Sequence, residues 1–483
     1  MDSIGTIGAW VLGGLSAYAG IFQHPLNPSS PDIIAGLGSQ LSADAAIFLP
    51  GSPQFASATD RWSRFAEPNI TTVVEVATTG DVEATIKYAN EHSLPFIAIT
   101  GSHGAIKSLE AMNQGIEIWM RRMNAITIAP DGKTATIGGG TLSKEITDTF
   151  LAGPMLGGGY GFLQGRYGLI SDNLVSAQMV LANGTSVTVS ADSNPDLFWA
   201  IRGAGHNFGV VTEVVVKIYD VPPDNEWVYE SFIYTQDKVE ELYGLVNIMT
   251  DNGTQPVELI NYSVFLRLPE LDPDNALILL FILFEGPSSI EKQYSAPFHA
   301  LGPAMVQSGS TTYPELPVLT GLDENSAPCQ HGSTSLRFPI LTKSYNPQAQ
   351  RSVFDAFNKL TSDMVFSNSL FLFEGYSLQG VKAVPAELTA FPHREDNLII
   401  TPLVVYTPNA TLDTTAIKFG KDVRDILHAA DSSEELHAYV NYAHGDEGFQ
   451  EVYGYEPWRR SRLRDLKHTY DPTGKFDFYA PIR

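Results

Sequence analysis

The sequence predicts an α+β protein built from more than one structural unit, and three observations carry that prediction. At 483 residues the chain is too long for a single core and suits two domains, or one large domain with a second inserted into it. A small βαβ unit stands near the amino terminus. There the β-branched run Thr71 to Val76 precedes helical spacing at Val82, Ile86 and Ala89, and the apolar run Leu94 to Ile99 follows. From about Pro222 the texture changes. Trp227 to Tyr234, Val257 to Leu266, Ala276 to Phe284, Ser369 to Phe373 and Leu398 to Tyr406 read as strands, separated by helical patterns such as Lys238 to Met249 and Gln348 to Met364. Strands and helices interspersed in this way form a sheet layer with helices on one face.

Composition removes several functions. The net charge of −24 repels nucleic acid and anionic membrane alike. The single cysteine, Cys329, allows no intrachain disulfide and no cysteine-based metal site, and no HExxH or tight Asp/Glu cluster stands at ligand spacing, so metal catalysis is not expected. Ile4 to Phe22 is apolar and ends near Ala17-Tyr18-Ala19, a small-residue pattern like a signal-peptidase site, although no Lys or Arg precedes it. Acceptors of the Asn-x-Ser/Thr type at Asn69, Asn183, Asn252, Asn261 and Asn409 agree with a secretory destination; a cytoplasmic one stays open. No later stretch has the length to span a bilayer.

Taken in order, residues 24 to 62 hold Pro, Ser and Gly and read as a lead-in. Asp81 and Glu83 suit the positive start of the helix that follows Thr78-Thr79-Gly80. The strand ending at Ile99 delivers Gly101-Ser102-His103-Gly104 to its carboxyl end, where ligands gather in open α/β sheets. From the residues alone His103 either caps a strand end or touches a cofactor. Two hairpins follow, one breaking at Pro130-Asp131-Gly132 and one at Asn183-Gly184. Around them lie Gly138-Gly139-Gly140, the stretch Gly157-Gly158-Gly159-Tyr160-Gly161, and Gly203-Ala204-Gly205-His206-Asn207-Phe208-Gly209 running into Val210-Val211-Thr212. Phe208 stands where a GxGxxG loop needs its third glycine, and Thr127 where a P-loop needs its first, so both common nucleotide loops fail. Three glycine clusters and the Gly101 turn within about a hundred residues point to a backbone wrapped closely around a large ligand. After Glu434 an aromatic tail carries Tyr439-Val440-Asn441-Tyr442 and Tyr470-Asp471-Pro472-Thr473-Gly474-Lys475-Phe476; its basic run Arg459 to Lys467 reads as a solvated helix face.

In order and spacing these motifs resemble the fungal branch of the berberine-bridge-enzyme-like FAD-linked oxidoreductases, in the vanillyl-alcohol-oxidase/p-cresol-methylhydroxylase (PCMH) flavoprotein superfamily. The resemblance runs from about Leu41 to the carboxyl terminus. It implies a two-part PCMH-type FAD-binding domain at residues 41–221 with a return at 434–483. A substrate domain of antiparallel sheet backed by helices would occupy 222–433, after a lead-in or signal segment at 1–40. By motif position His103 would be the residue bonded to the flavin 8α carbon, with the amides of Gly101, Ser102 and Gly104 on the pyrophosphate. Gly157, Gly158, Gly159 and Gly161, with Asp172 and Asn173, would line the cofactor. So would Gly205, Asn207, Phe208, Gly209, Val210 and Val211, and Tyr439 and Asn441 would lie near the isoalloxazine. The implied chemistry moves a hydride from a small-molecule substrate to flavin N5 while a base takes a proton, and dioxygen then reoxidises the flavin to give hydrogen peroxide. Tyr442 is the implied base, provided its pKa of about 10 is lowered; Tyr439 and Tyr442 as packing aromatics is the competing reading.

One departure stands out. Bicovalent members carry a cysteine before the Gly-Gly-Gly-x-Gly motif, after a helix like Leu142 to Phe150, but here Phe150 runs almost directly into Leu156-Gly157. Attachment through His103 alone is then expected, or the sequence has lost an exon edge. The short connection also keeps a second function open, a flavin-holding scaffold or cyclase without net redox turnover. An oxidase of carbohydrates is a narrower form of the first reading.

Overall fold

The computed structural model describes residues 30–142, 145, 153–221 and 226–483. The apolar segment Ile4 to Phe22, most of the helix expected from Leu142 to Phe150, and the start of its short connection lie outside them. Three sheets make up the described fold.

The first sheet contains β1 (Ala46–Phe48), β2 (Ile70–Glu75), β3 (Phe96–Ile99) and β4 (Gly115–Trp119) in the order β1-β2-β4-β3. β4 runs parallel to both β2 and β3, and the helix Thr79–Glu91 supplies the crossover. That helix starts where it does because Thr78 and Asp81 form a reciprocal capping box. Its apolar stripe, Val82, Ile86 and Ala89, is buried with Val74, Phe96, Ile116 and Ile118 in one cluster. The βαβ unit read from the sequence is present, and it sets the Gly101 turn at the carboxyl end of β3.

The second sheet is antiparallel: β5 (Ile126–Ile128), β6 (Thr134–Gly138), β7 (Leu174–Val180), β8 (Ser186–Ser190) and β9 (Val210–Lys217), in the order β5-β6-β9-β7-β8. Both expected hairpins form. Their tips fall on Gly132 and Gly184, whose φ values of 69° and 76° suit glycine.

The third sheet is the largest and wholly antiparallel. It holds β10 (Trp227–Tyr234), β11 (Leu259–Leu266), β12 (Leu277–Glu285), β13 (Met305–Thr311), β14 (Thr334–Arg337), β15 (Ile340–Thr342), β16 (Leu370–Gly375) and β17 (Leu398–Tyr406). The order is β13-β10-β12-β11-β16-β17-β14, with β15 also on β17. Period-two alternation gives the sheet two apolar faces. Phe265, Phe371, Phe373 and Ile400 pack into a core with residues of the helices Val239–Thr250, Pro347–Thr361 and Ala410–Ala429. Tyr262, Phe281, Leu372 and Ile399 belong to a second cluster, which also takes in Trp62, Tyr160 and Tyr439 from outside the sheet. Helices therefore cover one face, as the alternation predicted, and the other face is turned to the site.

The carboxyl-terminal stretch, with the helices Phe449–Tyr453 and Pro457–Tyr470, packs into the cluster that holds the second sheet's Ala177, Met179 and Val214. One expectation is corrected there. The basic run is not a uniformly solvated face: Arg459 is fully buried and donates to the carbonyls of Thr389 and Ala390, and buried Lys467 pairs with Asp471 at 2.7 Å. Helical periodicity puts Arg459, Leu463, Leu466 and Lys467 on the inner side.

Candidate active site at the Gly101–Gly104 turn

β3 ends in a turn whose second residue, Ser102, has φ 58°. No acceptor among the described residues pairs with the backbone N–H of Gly101, Ser102, His103 or Gly104. Four consecutive donors left free in a turn of small residues, one of them in the left-handed region, are available to an anion. The turn is held from behind: Trp62 N–H donates to the Ser102 carbonyl at 3.3 Å, and Arg61 Nη2 to the Gly104 carbonyl at 2.7 Å. A Cβ at Gly104 would stand 3.3 Å from the Tyr479 ring and 3.5 Å from Arg61 Nη2. The His103 ring stacks on Trp62, with centroids 5.6 Å apart. The residue is exposed, yet loss of water around the ring, with Arg337, His331 and Arg61 nearby, holds its pKa down to about 4. The imidazole is neutral at pH 7 and keeps a nitrogen lone pair.

From Trp62 the contacts lead onto the large sheet. The Arg337 guanidinium, at the end of β14, lies 4.9 Å from the Trp62 ring centre and 5.0 Å from that of Tyr442. The Tyr442 hydroxyl donates to Glu374 Oε1 at 3.0 Å, and Tyr376 donates to Glu374 Oε2 at 2.6 Å. Glu374 is buried on β16, opposite Tyr262 of β11 and Ile399 of β17. Burial pushes its carboxyl up, against the two hydroxyls and Arg337. The phenol of Tyr442 is also pushed well above its usual value, by loss of water and by Glu374. The lowering that the sequence reading required of Tyr442 is therefore absent. In its place stands an acceptor for the phenolic proton. Tyr160 closes the group, with its ring 4.9 Å from that of Tyr439 and 5.9 Å from those of Tyr376 and Phe391, and its buried hydroxyl has no partner among the described residues.

The other residues picked from the sequence serve mainly as joints between segments. Asn441 Nδ2 donates to the Pro154 carbonyl at 2.9 Å and to the Tyr439 hydroxyl at 2.7 Å. A Cβ on Gly157 would lie 2.1 Å from Asn441 Oδ1; on Gly158 it would meet the Phe391 ring at 2.5 Å, and on Gly159 the Ile170 side chain at 2.8 Å. Gly161 alone of this motif faces open space. Asp172 forms a buried bidentate pair with Arg394, at 2.7 and 3.0 Å, and accepts from the Leu169 amide; Asn173 donates to the carbonyls of Tyr167 and Leu169. Asn207 is fully buried and bonds Tyr453, Ala480 and Ile482, which ties the carboxyl terminus down. Gly205 abuts Leu156, Phe208 is in the core, Gly209 abuts Met179, Val210 is buried beside the first sheet, and the Val211 carbonyl closes on Gly139.

Sequence reasoning passed over Trp62, Arg337, Glu374 and Arg61. Glu374 carried a usable signal, an acidic residue in the otherwise apolar run Leu370-Phe371-Leu372-Phe373. Behind the turn, Glu117 on β4 is fully buried with neither carboxylate oxygen bonded among the described residues, and desolvation pushes it up to about 8 although Arg61 opposes the rise. Both residues line a cavity of about 240 Å³ with Thr59, Arg64 and Asn69.

Comparisons with known proteins give this geometry a context. Residues 70–150 match the family described as FAD binding domain, and residues 438–483 match the family described as Berberine and berberine like. The chain is 43% identical over 466 residues to the FAD-linked oxidoreductase chyH of Penicillium rubens, covering 92% of this chain and 93% of that protein. It is also 43% identical over 478 residues to the FAD-linked oxidoreductase chry5 of Gibberella zeae, covering 92% and 94%. Among solved structures, BBE-like 1 of Physcomitrella patens superposes with a TM-score of 0.78 at 21% identity, covering 93% of this chain and 99% of that one. The xylooligosaccharide oxidase of Myceliophthora thermophila superposes at 0.77 with 22% identity and the same coverage. At such identities these two likenesses speak for the fold alone.

Proposed function

The chain belongs to the berberine-bridge-like, PCMH-type FAD-linked oxidoreductases, and on that premise we propose that it is an oxidase of a small organic alcohol or secondary-metabolite intermediate. Bound FAD supplies the acceptor for a hydride, and dioxygen takes the electron pair onward as hydrogen peroxide. The free amides of Gly101, Ser102, His103 and Gly104 fit the pyrophosphate of that cofactor, and the neutral His103 ring fits a single covalent tether.

One observation carries the reading: the hydroxyl of Tyr442 is bonded to a buried carboxylate and held beside the arginine that leads back to the His103 turn. As the substrate carbon gives up its hydride, Tyr442 accepts the proton of the substrate hydroxyl and passes its own phenolic proton to Glu374. The charge on the tyrosine never has to stand alone, so a high Tyr442 pKa is compatible with its role. Arg337, 5.0 Å from the centre of the Tyr442 ring, helps to keep the phenol in place. Tyr160, Tyr376 and Tyr439 exclude water around the carboxylate.

The test is anaerobic mixing of the purified flavoprotein with a panel of alcohols, followed by admission of air. Flavin absorbance should bleach with a substrate and recover as hydrogen peroxide forms. If compounds bind and none bleaches the flavin, the scaffold or cyclase reading replaces this one.

Secretion belongs to the same proposal and rests on the Ala17-Tyr18-Ala19 pattern. Of the glycan acceptors, Asn69, Asn183 and Asn409 are exposed, whereas Asn261 is buried on β11 and closed to modification.

A further inference from the structure

Behind the Tyr160, Phe391 and Tyr439 rings of the site, the segment after Phe391 and the stretch leading to Tyr439 bring His393, Asp396 and His437 together. One ligand atom from each of the three lies within 4.8 Å of the others. His437 Nδ1 is 2.6 Å from Asp396 Oδ2, and His393 Nδ1 is 4.0 Å from the same oxygen. The two imidazoles stack with their centroids 4.5 Å apart. His393 Nε2 is 2.9 Å from the Glu451 carbonyl. A carbonyl can only accept, so Nε2 carries the hydrogen, and a neutral ring then leaves its Nδ1 lone pair toward Asp396. No donor among the described residues bonds that lone pair. A backbone carbonyl that fixes the tautomer from the far side is the usual outer partner of a metal-ligating histidine.

We propose that His393, Asp396 and His437 form a structural site for a divalent transition metal of the zinc type. The ligands are Nδ1 of each histidine and one oxygen of Asp396, and water completes the shell. Zinc bonds of about 2.0–2.1 Å place tetrahedral ligand atoms about 3.3 Å apart, and the observed 2.6 and 4.0 Å bracket that spacing. Two imidazoles and one carboxylate, without a thiolate, suit zinc, cobalt, nickel or copper rather than calcium or magnesium. The side chains of His393 and Asp396 are 3% exposed and that of His437 is 23% exposed, which leaves an entry path on one side.

The site sits where three segments meet. The His437 carbonyl accepts from Leu341 at the edge of the large sheet, and the Glu451 carbonyl that orients His393 also accepts from Ala438. A metal there would clamp the chain two residues before Tyr439. The proposed role is structural.

The test uses the full-length flavoprotein, stripped with chelator and dialysed against zinc or cobalt chloride alone. One zinc per chain is expected by elemental analysis. Cobalt should give a tetrahedral visible spectrum to the red of the flavin bands, and the thermal midpoint should rise with free zinc. Loss of an outer partner alone costs about 10–100-fold in metal affinity, so His437→Gln, which removes a ligand at the partly exposed position, should cost at least about 100-fold. His393→Asn should abolish the cobalt spectrum. Folded wild type that takes up no zinc, or zinc uptake unchanged in His437→Gln, overturns the proposal.

Discussion

Tyr442 donates to Glu374 across 3.0 Å, joining a residue of the carboxyl-terminal stretch to the centre of the large sheet. If this pair moves the substrate proton, Glu374→Gln should lower the rate of anaerobic flavin reduction by about 10²–10⁴ with a smaller change in apparent substrate affinity. Tyr442→Phe should fall in the same range. The double variant should be little worse than either single, because the two act as one unit. Stopped-flow reduction rates decide this, and a Glu374→Gln rate within a few-fold of wild type would remove the carboxylate from the mechanism.

His103 is the one residue of the free-amide turn that can form a covalent bond to flavin; Cys329, the only cysteine, follows Pro328, whose carbonyl accepts from the Trp62 indole stacked on His103, so the single-tether expectation is tested at His103 itself. Acid-precipitated wild type should therefore keep its yellow colour in the pellet, and His103→Ala should release all of it to the supernatant. A coloured pellet from His103→Ala would place the attachment elsewhere. A colourless wild-type pellet would mean that no tether exists.

The two hairpins, the βαβ unit and most long strands were legible in the sequence because each is a local pattern: Pro130-Asp131-Gly132, Asn183-Gly184, or a run of β-branched and apolar residues. Sheet order was not legible. Glu374 meets Tyr262 and Ile399 through antiparallel register, and more than a hundred residues separate Tyr262 from Glu374 along the chain. The Arg337 sandwich joins Trp62, Arg337 and Tyr442, three residues with no common period. The same limit hid His393, Asp396 and His437. At the glycines of 157–159 and 203–209, whose clustering points to a backbone wrapped around a large ligand, the atoms that a Cβ would meet belong to this chain, among them those of Asn441, Phe391 and Leu156.

Asp172 and Arg394 provide a stability test that is separate from chemistry. Both side chains are almost fully buried and bonded in two places. Arg394→Ala would leave a buried carboxylate without its partner, at a cost of about 3–5 kcal/mol. The double variant Asp172→Leu with Arg394→Met should recover most of that loss in denaturant unfolding, and no recovery would show that the Leu169 amide, which also donates to Asp172, needs the carboxylate as much as Arg394 does.

Arg337 holds two rings at once, and each cation–π contact is worth about 0.5–1 kcal/mol, rising to about 2 when desolvated. Arg337→Met should lower stability by on the order of 1–2 kcal/mol. It should also slow flavin reduction, because the Tyr442 ring loses the group that fixes it. Lysine lacks the planar guanidinium that stacks on both rings, so Arg337→Lys should resemble Arg337→Met. A lysine variant with wild-type reduction kinetics would show that charge alone is needed.

Glu117 sets the alkaline side of the stability profile. Its carboxyl is pushed up to about 8 from 4.5 by loss of water, so between those values the folded chain holds a proton that the unfolded chain has released. Stability from this group is complete below pH 4.5 and declines as pH rises toward 8. His206 and His444 act in the opposite direction. Burial lowers them to about 3 and about 4, so the unfolded chain binds their protons first and stability falls as pH drops below 6.5. Two histidines outweigh one carboxyl on the acid side, which puts the maximum of these three contributions near pH 6.5. Above it the Glu117 term costs at most about 1.4 kcal/mol per pH unit. Glu117→Gln keeps the shape and removes the ionisation, so the drop in thermal midpoint between pH 6.5 and pH 8 should largely vanish, while the acid limb stays as in wild type. An unchanged alkaline drop in Glu117→Gln would show that the carboxylate is already paired in solution, with Arg61 as the partner in reach.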